Sequence, residues 1–175
     1  NIKENLLSII KDPYSFKIIF EYLTPEQCSV GCEVVKEKLP TMINSACDLS
    51  EVIQYLTPEQ CTVICKALKE KLPVFIKSVS DFRIILQYLT PKQRGVIYES
   101  VKEKLLVIIN SAYDLNEVIQ YLTPEQCTVV CKALKEKLST LIKSASDFKI
   151  ILQYLTPNQR GVIYEFVKEK LPVII

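Results

Sequence analysis

The chain has no histidine and no tryptophan, and its 175 residues include only three glycines and one methionine. Without histidine it lacks the side chain that titrates nearest neutral pH, the commonest general base and a common metal ligand. Its glycines, Gly31, Gly95 and Gly161, stand apart, so no Gly-rich loop can cradle a phosphate. No apolar run approaches the roughly 20 residues that a membrane-spanning helix needs. The formal net charge is +2, from 22 basic and 20 acidic residues, which gives no bias towards nucleic acid or an anionic membrane. The opening Asn1-Ile2-Lys3-Glu4 lacks the charged-then-apolar layout of a signal peptide. Nothing here points to an enzyme, a cofactor or a small-molecule substrate.

The chain is rich in apolar residues, at 49%, which excludes a disordered segment. It is also repetitive. Thr-Pro occurs at Thr24-Pro25, Thr57-Pro58, Thr90-Pro91, Thr123-Pro124 and Thr156-Pro157, in steps of 33 residues without insertion. Around it the unit reads Asp-(Leu/Phe)-x-x-(Val/Ile)-(Ile/Leu)-Gln-Tyr-Leu-Thr-Pro-x-Gln, then an apolar-periodic run to Lys-Glu-Lys-Leu, then x-x-apolar-Ile-x-Ser. The first copy departs slightly, with Ser15 for the Asp and Glu21 for the first Gln. The copies are 15–47, 48–80, 81–113, 114–146 and 147–175, and residues 1–14 match the tail of an earlier one.

The second copy shows the physics of the unit. Asp48-Leu49-Ser50-Glu51 has the form of a capping box, with Asp48 as N-cap of a short helix A. Thr57 caps helix B, Pro58 occupies the first helical position, where a missing N–H costs nothing, and Gln60 closes a second box. Helix B carries Cys61, Ile64, Cys65, Leu68 and Leu72 on one stripe. Lys69 and Lys71 suit its C-terminal dipole. Pro40, Pro73 and Pro172 follow the leucine in three copies, while Leu106 and Ser139 replace it in the others. A proline inside a helix costs about 3 kcal/mol, so a break is expected after the leucine, followed by a short third segment. Neither helix can bury its face alone, so the copies must stack.

Comparison of the copies reveals a longer period. Copies 2 and 4 differ at six of 33 positions, and copies 3 and 5 at four of the 29 they share, whereas copies 2 and 3 are far less alike. The underlying unit is an alternating pair of 66 residues, and any surface feature of one module recurs at two-copy spacing. At the ends, Glu4, Leu6 and Ile10 align with Glu37, Leu39 and Ile43, and Leu171 to Ile175 leave the same tail unfinished. These ends lack the polar caps of a complete solenoid, so a fragment of a longer array is expected.

Three residue sets invite chemistry. Six of the seven cysteines form Cys-x-x-x-Cys pairs: Cys28/Cys32, Cys61/Cys65 and Cys127/Cys131. The first two pairs lie in adjacent copies and could supply four thiolates to zinc, but the third has only Arg94/Tyr98 and Arg160/Tyr164 beside it. Cysteine as a small apolar packing residue fits better, with no metal site and reduced thiols in a cytosolic setting. The thiol at position 61 is then expected at the edge of the packing seam, since Arg replaces it in copies 3 and 5. Arg94 and Tyr98, repeated as Arg160 and Tyr164, are the candidate partner-binding residues, because Arg and Tyr favour interface hot spots. An Arg stem covering apolar surface is the simpler reading of the same pairs. The glutamates that recur once per copy, such as Glu37 and Glu70, suit a solvated helix face.

Two families share features with the unit. Leu-Pro-x-x-Ile-x-Ser-Ala-x-Asp-(Leu/Phe), as in Leu39 to Leu49, and Tyr-Leu-Thr-Pro-x-Gln-Arg-x-Val-x-Tyr-Glu, as in Tyr88 to Glu99, resemble tandem helical repeats of secreted effectors from Legionella-type intracellular bacteria. That resemblance implies delivery into a host-cell cytosol and a host target. Leu-Thr-Pro-Glu-Gln at Leu56 to Gln60 is similar to the opening of the transcription-activator-like effector repeat. That family reads bases from a two-residue loop followed by Gly-Gly. Here Ala67-Leu68-Lys69-Glu70 stands in its place, without glycine, and is expected to continue the helix.

The sequence therefore predicts an all-α protein, a right-handed-type helical-repeat solenoid of five units arranged as alternating pairs. With neighbouring helices about 8–10 Å apart it would extend on the order of 50 Å. Its expected role is a protein–protein interaction scaffold within a larger protein. The alternatives are a nucleic-acid-binding solenoid, disfavoured by the charge balance, and a structural spacer between domains.

Overall fold

The computed structural model describes residues 2–168. It is all-helical, at 73% helix, far above the third that is usual for soluble domains, and no strand occurs among the described residues. The helices are α1 (Ile2–Ile9), α2 (Pro13–Phe20), α3 (Pro25–Val35), α4 (Leu39–Met42), α5 (Ala46–Ile53), α6 (Pro58–Ala67) and α7 (Leu72–Phe75), then α8 (Val79–Leu86), α9 (Pro91–Ile108), α10 (Ala112–Ile119), α11 (Pro124–Ala133), α12 (Lys135–Leu141), α13 (Ala145–Leu152) and α14 (Pro157–Val167). Helix A of the five copies is α2, α5, α8, α10 and α13, and helix B begins α3, α6, α9, α11 and α14. Among the described residues no helix is long and apolar enough to cross a membrane.

The Thr-Pro starts follow the local rule. Thr24, Thr57, Thr123 and Thr156 each accept a hydrogen bond from the N–H of a glutamine three residues on, whose side chain accepts one in return from the threonine N–H. Thr90 and Gln93 make the same pair, at 3.4 and 3.0 Å. Thr90→Ala and Thr123→Ala are each expected to cost about 1 kcal/mol in urea denaturation, because the job is the same in both copies. No change at either position would mean that the hydroxyl does not hold the helix start.

Helix A starts earlier than Asp48. Ser45, Ser111 and Ser144 are the N-caps, each accepting from the N–H of the aspartate three residues on. That aspartate takes a backbone N–H from the residue before the cap: Asn44 to Asp48 at 2.9 Å, Asn110 to Asp114 at 3.0 Å and Lys143 to Asp147 at 3.0 Å. The earlier start also buries Ala46 and Ala112. In copy 1 the two residue types exchange places, with Asp12 as cap and Ser15 at the third position.

The break in helix B falls before the leucine rather than after it. In copy 2, α6 ends at Ala67, residues 68–71 turn, and Leu72–Phe75 form a separate helical turn. The proline ring collides with the carbonyl four residues earlier, so Pro73 acts on the turn upstream of itself. In copy 3, where Leu106 replaces the proline, α9 runs unbroken for 18 residues. Copy 4 carries Ser139, yet Leu134 adopts the backbone of Leu68 (φ −90°, ψ 6° against −94°, 6°). Both follow the same Cys-Lys-Ala, so proline is not the sole cause. The stretch Ala67 to Glu70 therefore contains a turn and does not continue the helix. The break expected at Pro172 lies outside the described residues.

The described residues form two compact units. One holds those up to Lys77 together with Asp81–Ser100; the other holds Ser78–Ser80 and those from Val101 onward. Within the first, α2 packs on α5 and α1 on α3; within the second, α10 packs on α13 and α11 on α14. Helix A thus lies against the next helix A in copies 1 and 2 and in copies 4 and 5, and helix B against the next helix B in copies 4 and 5. The first core includes Phe16, Phe20, Leu49, Ile53, Ile64 and Leu72, and the second Leu115, Ile119, Val130, Leu138 and Ile151, all buried. Each such side chain contributes about 1.5–3 kcal/mol of transfer free energy.

Candidate interaction surface

The candidate residues Arg94, Tyr98, Arg160 and Tyr164 lie in different environments. Tyr98 is 2% exposed and belongs to the core. Arg94 is half-buried, and its Nε donates to the Leu86 carbonyl at 3.3 Å, at the end of α8. Arg160 and Tyr164 are exposed.

The cysteines do the packing work. All seven are free, and only Cys47 is exposed. Cys28 and Cys127 aim their thiols at the carbonyls of Phe20 and Ile119, at 3.5 and 3.6 Å, the place Arg94 Nε takes in copy 3. Cys61 is fully buried, not at the edge of the seam. The longer arginine fits the same position because its stem starts in the seam and its head group reaches the carbonyl and solvent. Burial pushes the Cys32 and Cys131 thiols up to about 12 and Cys127 to about 11, and raises Cys65 through its bond to Cys61 and through burial. Such thiols stay protonated at neutral pH, so they are poor nucleophiles. Among the described residues no three Cys, Asp or Glu side chains gather as a metal site would require.

The carboxylates with perturbed acidity all shift downward. Glu33 is held low by Lys36 and Gln60, Glu59 by its own backbone N–H and Lys92, and Asp147 by the Lys143 N–H and the Ser144 hydroxyl. They stay ionised, the opposite of a proton donor poised near neutrality.

What remains is the surface. Copies 2 and 3 differ at roughly half their positions, so a residue kept in all five has a reason to stay. Most have a visible one, as cap (Thr, Gln), first helical residue (Pro) or core (Leu39 and its equivalents). The second lysine of Lys-Glu-Lys has one too. Lys38 Nζ donates to the carbonyls of Leu7 and Ile10 at 2.8 and 2.6 Å, Lys71 to Pro40 at 3.1 Å, and Lys137 to Asn110 Oδ1 at 2.9 Å. It caps the tail of the preceding copy instead of its own helix.

Two invariant apolar or aromatic positions lack such a role. Val30, Val63, Val96, Val129 and Val162 occupy one position of helix B. Val30, Val63 and Val129 are more than half exposed, and Val96 and Val162 half-buried. Tyr22, Tyr55, Tyr88, Tyr121 and Tyr154 occupy one position in the turn between helices A and B. Their exposure alternates. Tyr22, Tyr88 and Tyr154 are 84%, 66% and 65% exposed, while Tyr55 and Tyr121 are half-buried. Tyr55 sits edge-on to the stacked rings of Phe16 and Phe20, at 6.0 and 6.2 Å. The two-copy period is thus written on the surface. Sequence reasoning missed both positions, although their invariance was the signal.

Grooves accompany the valines. One, of about 200 Å³, is lined by Cys32, Glu33, Leu39, Glu59, Gln60 and Val63. Another, of about 430 Å³, uses the equivalent positions one copy earlier, Leu6, Glu26, Gln27 and Val30. Both offer shallow apolar contacts, bordered by Glu33, Lys36 and Glu59 in the first and by Glu26 in the second. No family model matches the chain, and no curated protein or solved structure matches it either.

Proposed function

We propose that the chain is a solenoid of five stacked 33-residue copies in alternating pairs, serving as a protein-interaction scaffold of a larger protein. The observation that carries this is the retention of exposed valine and tyrosine in copies that have otherwise diverged. An exposed apolar side chain adds little to a monomer, so its persistence points to a partner. The likeness to secreted effector repeats and the free thiols support a host-cell cytosol as the working compartment. The partner is a protein, and the binding residues are the valine and tyrosine positions together with exposed Arg160 and Tyr164.

Photo-crosslinking from position 88 of the full chain tests this. The expected result is a discrete set of crosslinked proteins that disappears when Val30, Val63 and Val129 become aspartate, with the melting temperature unchanged within about 2 °C. The same crosslinked set from the triple variant would sink the proposal and favour a spacer. One observation favours nucleic acid as the second reading: the turn at residues 68–71 lies among exposed Lys66, Lys69 and Lys71. Duplex DNA is therefore included as a probe, and steeply salt-dependent binding would support that reading.

A further inference from the structure

Gln93 and Gln159 do two jobs at once. Each stands third in its helix B, where Oε1 accepts the N–H of Thr90 or Thr156, at 3.0 and 2.9 Å. Each Nε2 turns into the preceding copy. Gln93 donates to the carbonyls of Leu56 at 2.6 Å and Ile53 at 3.5 Å; Gln159 donates to those of Leu122 at 2.7 Å and Ile119 at 2.8 Å. Both glutamines are buried. The Ile53 and Ile119 carbonyls also accept the N–H of Leu56 and Leu122, at 3.2 and 3.1 Å, whereas the Leu56 and Leu122 carbonyls, in the turn beyond the helix, take their donor from these amides. A second bond runs the other way in each pair: Ser50 Oγ donates to the Ile84 carbonyl at 2.9 Å, and Asn116 Nδ2 to the Ile151 carbonyl at 2.8 Å.

The start of one copy is thus built on the end of the copy before. If that junction parts, the cap loses its anchor and the Leu56 or Leu122 carbonyl loses its amide donor in the same event. Copies 1 and 2 meet differently. Gln60 Nε2 donates to the Ser29 carbonyl at 2.9 Å and lies 3.4 Å from Glu33 Oε1, partway along α3. Gln27 is exposed and closes only its own cap. The two compact units keep each latch whole, with Ile53, Leu56 and Gln93 in the first and Ile119, Leu122 and Gln159 in the second.

We infer that these glutamine latches make copies 2 and 3, and likewise copies 4 and 5, open as cooperative pairs, so that local unfolding advances two copies at a time. Native-state hydrogen exchange of the full chain tests this with Gln93→Met, which removes the donor at nearly constant volume. Gln27→Met is the control that removes a cap contact alone. Gln93→Met is expected to speed the slowest amides of α5 and of the helix B segment in α9 together, by about tenfold or more, while Gln27→Met changes amides beyond the first turn of α3 by less than about threefold. Acceleration confined to the first turn of α9, or equal effects of the two variants on copy 2, would overturn the inference. Should Gln93→Met leave too little folded protein, Gln159→Met reads the second latch. Joint acceleration of α10 and α14 is then expected, and a change limited to the first turn of α14 would overturn it.

Discussion

Gln93→Glu is expected to destabilise the chain at neutral pH by about 3–5 kcal/mol, the range for a buried charge left without a partner. Gln27→Glu should change stability by less than about 0.5 kcal/mol, as is usual for an exposed site. Glutamate closes a capping box as well as glutamine does and suits the helix N-terminus, so the cap alone predicts no loss at either site. The difference lies in the far side of the amide. Gln93 Nε2 donates to the Leu56 carbonyl at 2.6 Å inside the core, whereas Gln27 is exposed. A carboxylate at 93 would face two carbonyls as an acceptor. Burial and those carbonyls would raise its folded pKa above the unfolded value of about 4.3. The penalty is therefore full above the raised pKa and fades as pH falls through it, when the protonated acid can donate to Leu56. Urea denaturation across pH measures both features. Equal losses at 27 and 93, or a Gln93→Glu deficit that grows on acidification, would show that the latch does not carry the weight assigned to it.

The sequence made the repeat, its helical class and the Thr-Pro caps legible because each rests on local chemistry that recurs five times. Thr57, Pro58 and Gln60 lie within four residues, and their contacts need nothing from the rest of the chain. The start of helix A was misplaced because Ser45 and Asp48 both have cap chemistry, and only the burial of Ala46 decides between them. What was not legible is whatever joins copies. Lys38 reaches 28 to 31 residues back, and Gln93 up to 40, distances that no helical period encodes. The surface stayed hidden for the opposite reason. Periodicity arguments look for apolar residues that face inward, and Val63 and Tyr88 are apolar positions that face out. The alternation of tyrosine exposure has a visible cause at one copy. Phe16 and Phe20 offer Tyr55 an aromatic edge to pack against.

Gly31→Ile is expected to cost about 2–3 kcal/mol, as overpacking does, even though it copies the sequence of the other repeats. Copies 2, 3, 4 and 5 carry Ile64, Ile97, Val130 and Ile163 at this position, all buried. Copy 1 carries glycine because its neighbour is larger. Phe20 replaces the aliphatic Ile53, Leu86, Ile119 and Leu152 of the others. A Cβ at position 31 would lie 2.8 Å from Phe20 Cζ and 3.2 Å from its Cε1. The ring cannot swing aside cheaply, since it stacks on Phe16 with centroids 3.9 Å apart and meets the Tyr55 ring on another side. Phe20→Leu alone should cost about 1–3 kcal/mol, because it removes ring volume and leaves a void beside the glycine. Phe20→Leu and Gly31→Ile together, with Phe16 kept, give copy 1 the combination that copy 3 already holds. There the equivalent residues are Phe82, Leu86 and Ile97, and all three are buried. The double variant should therefore fall within about 1 kcal/mol of the parent, helped by replacing a mid-helix glycine. A coupling energy of at least about 2 kcal/mol follows, readable from the four urea midpoints of the cycle. Additive losses in the double variant would mean that the ring and the glycine do not share one space.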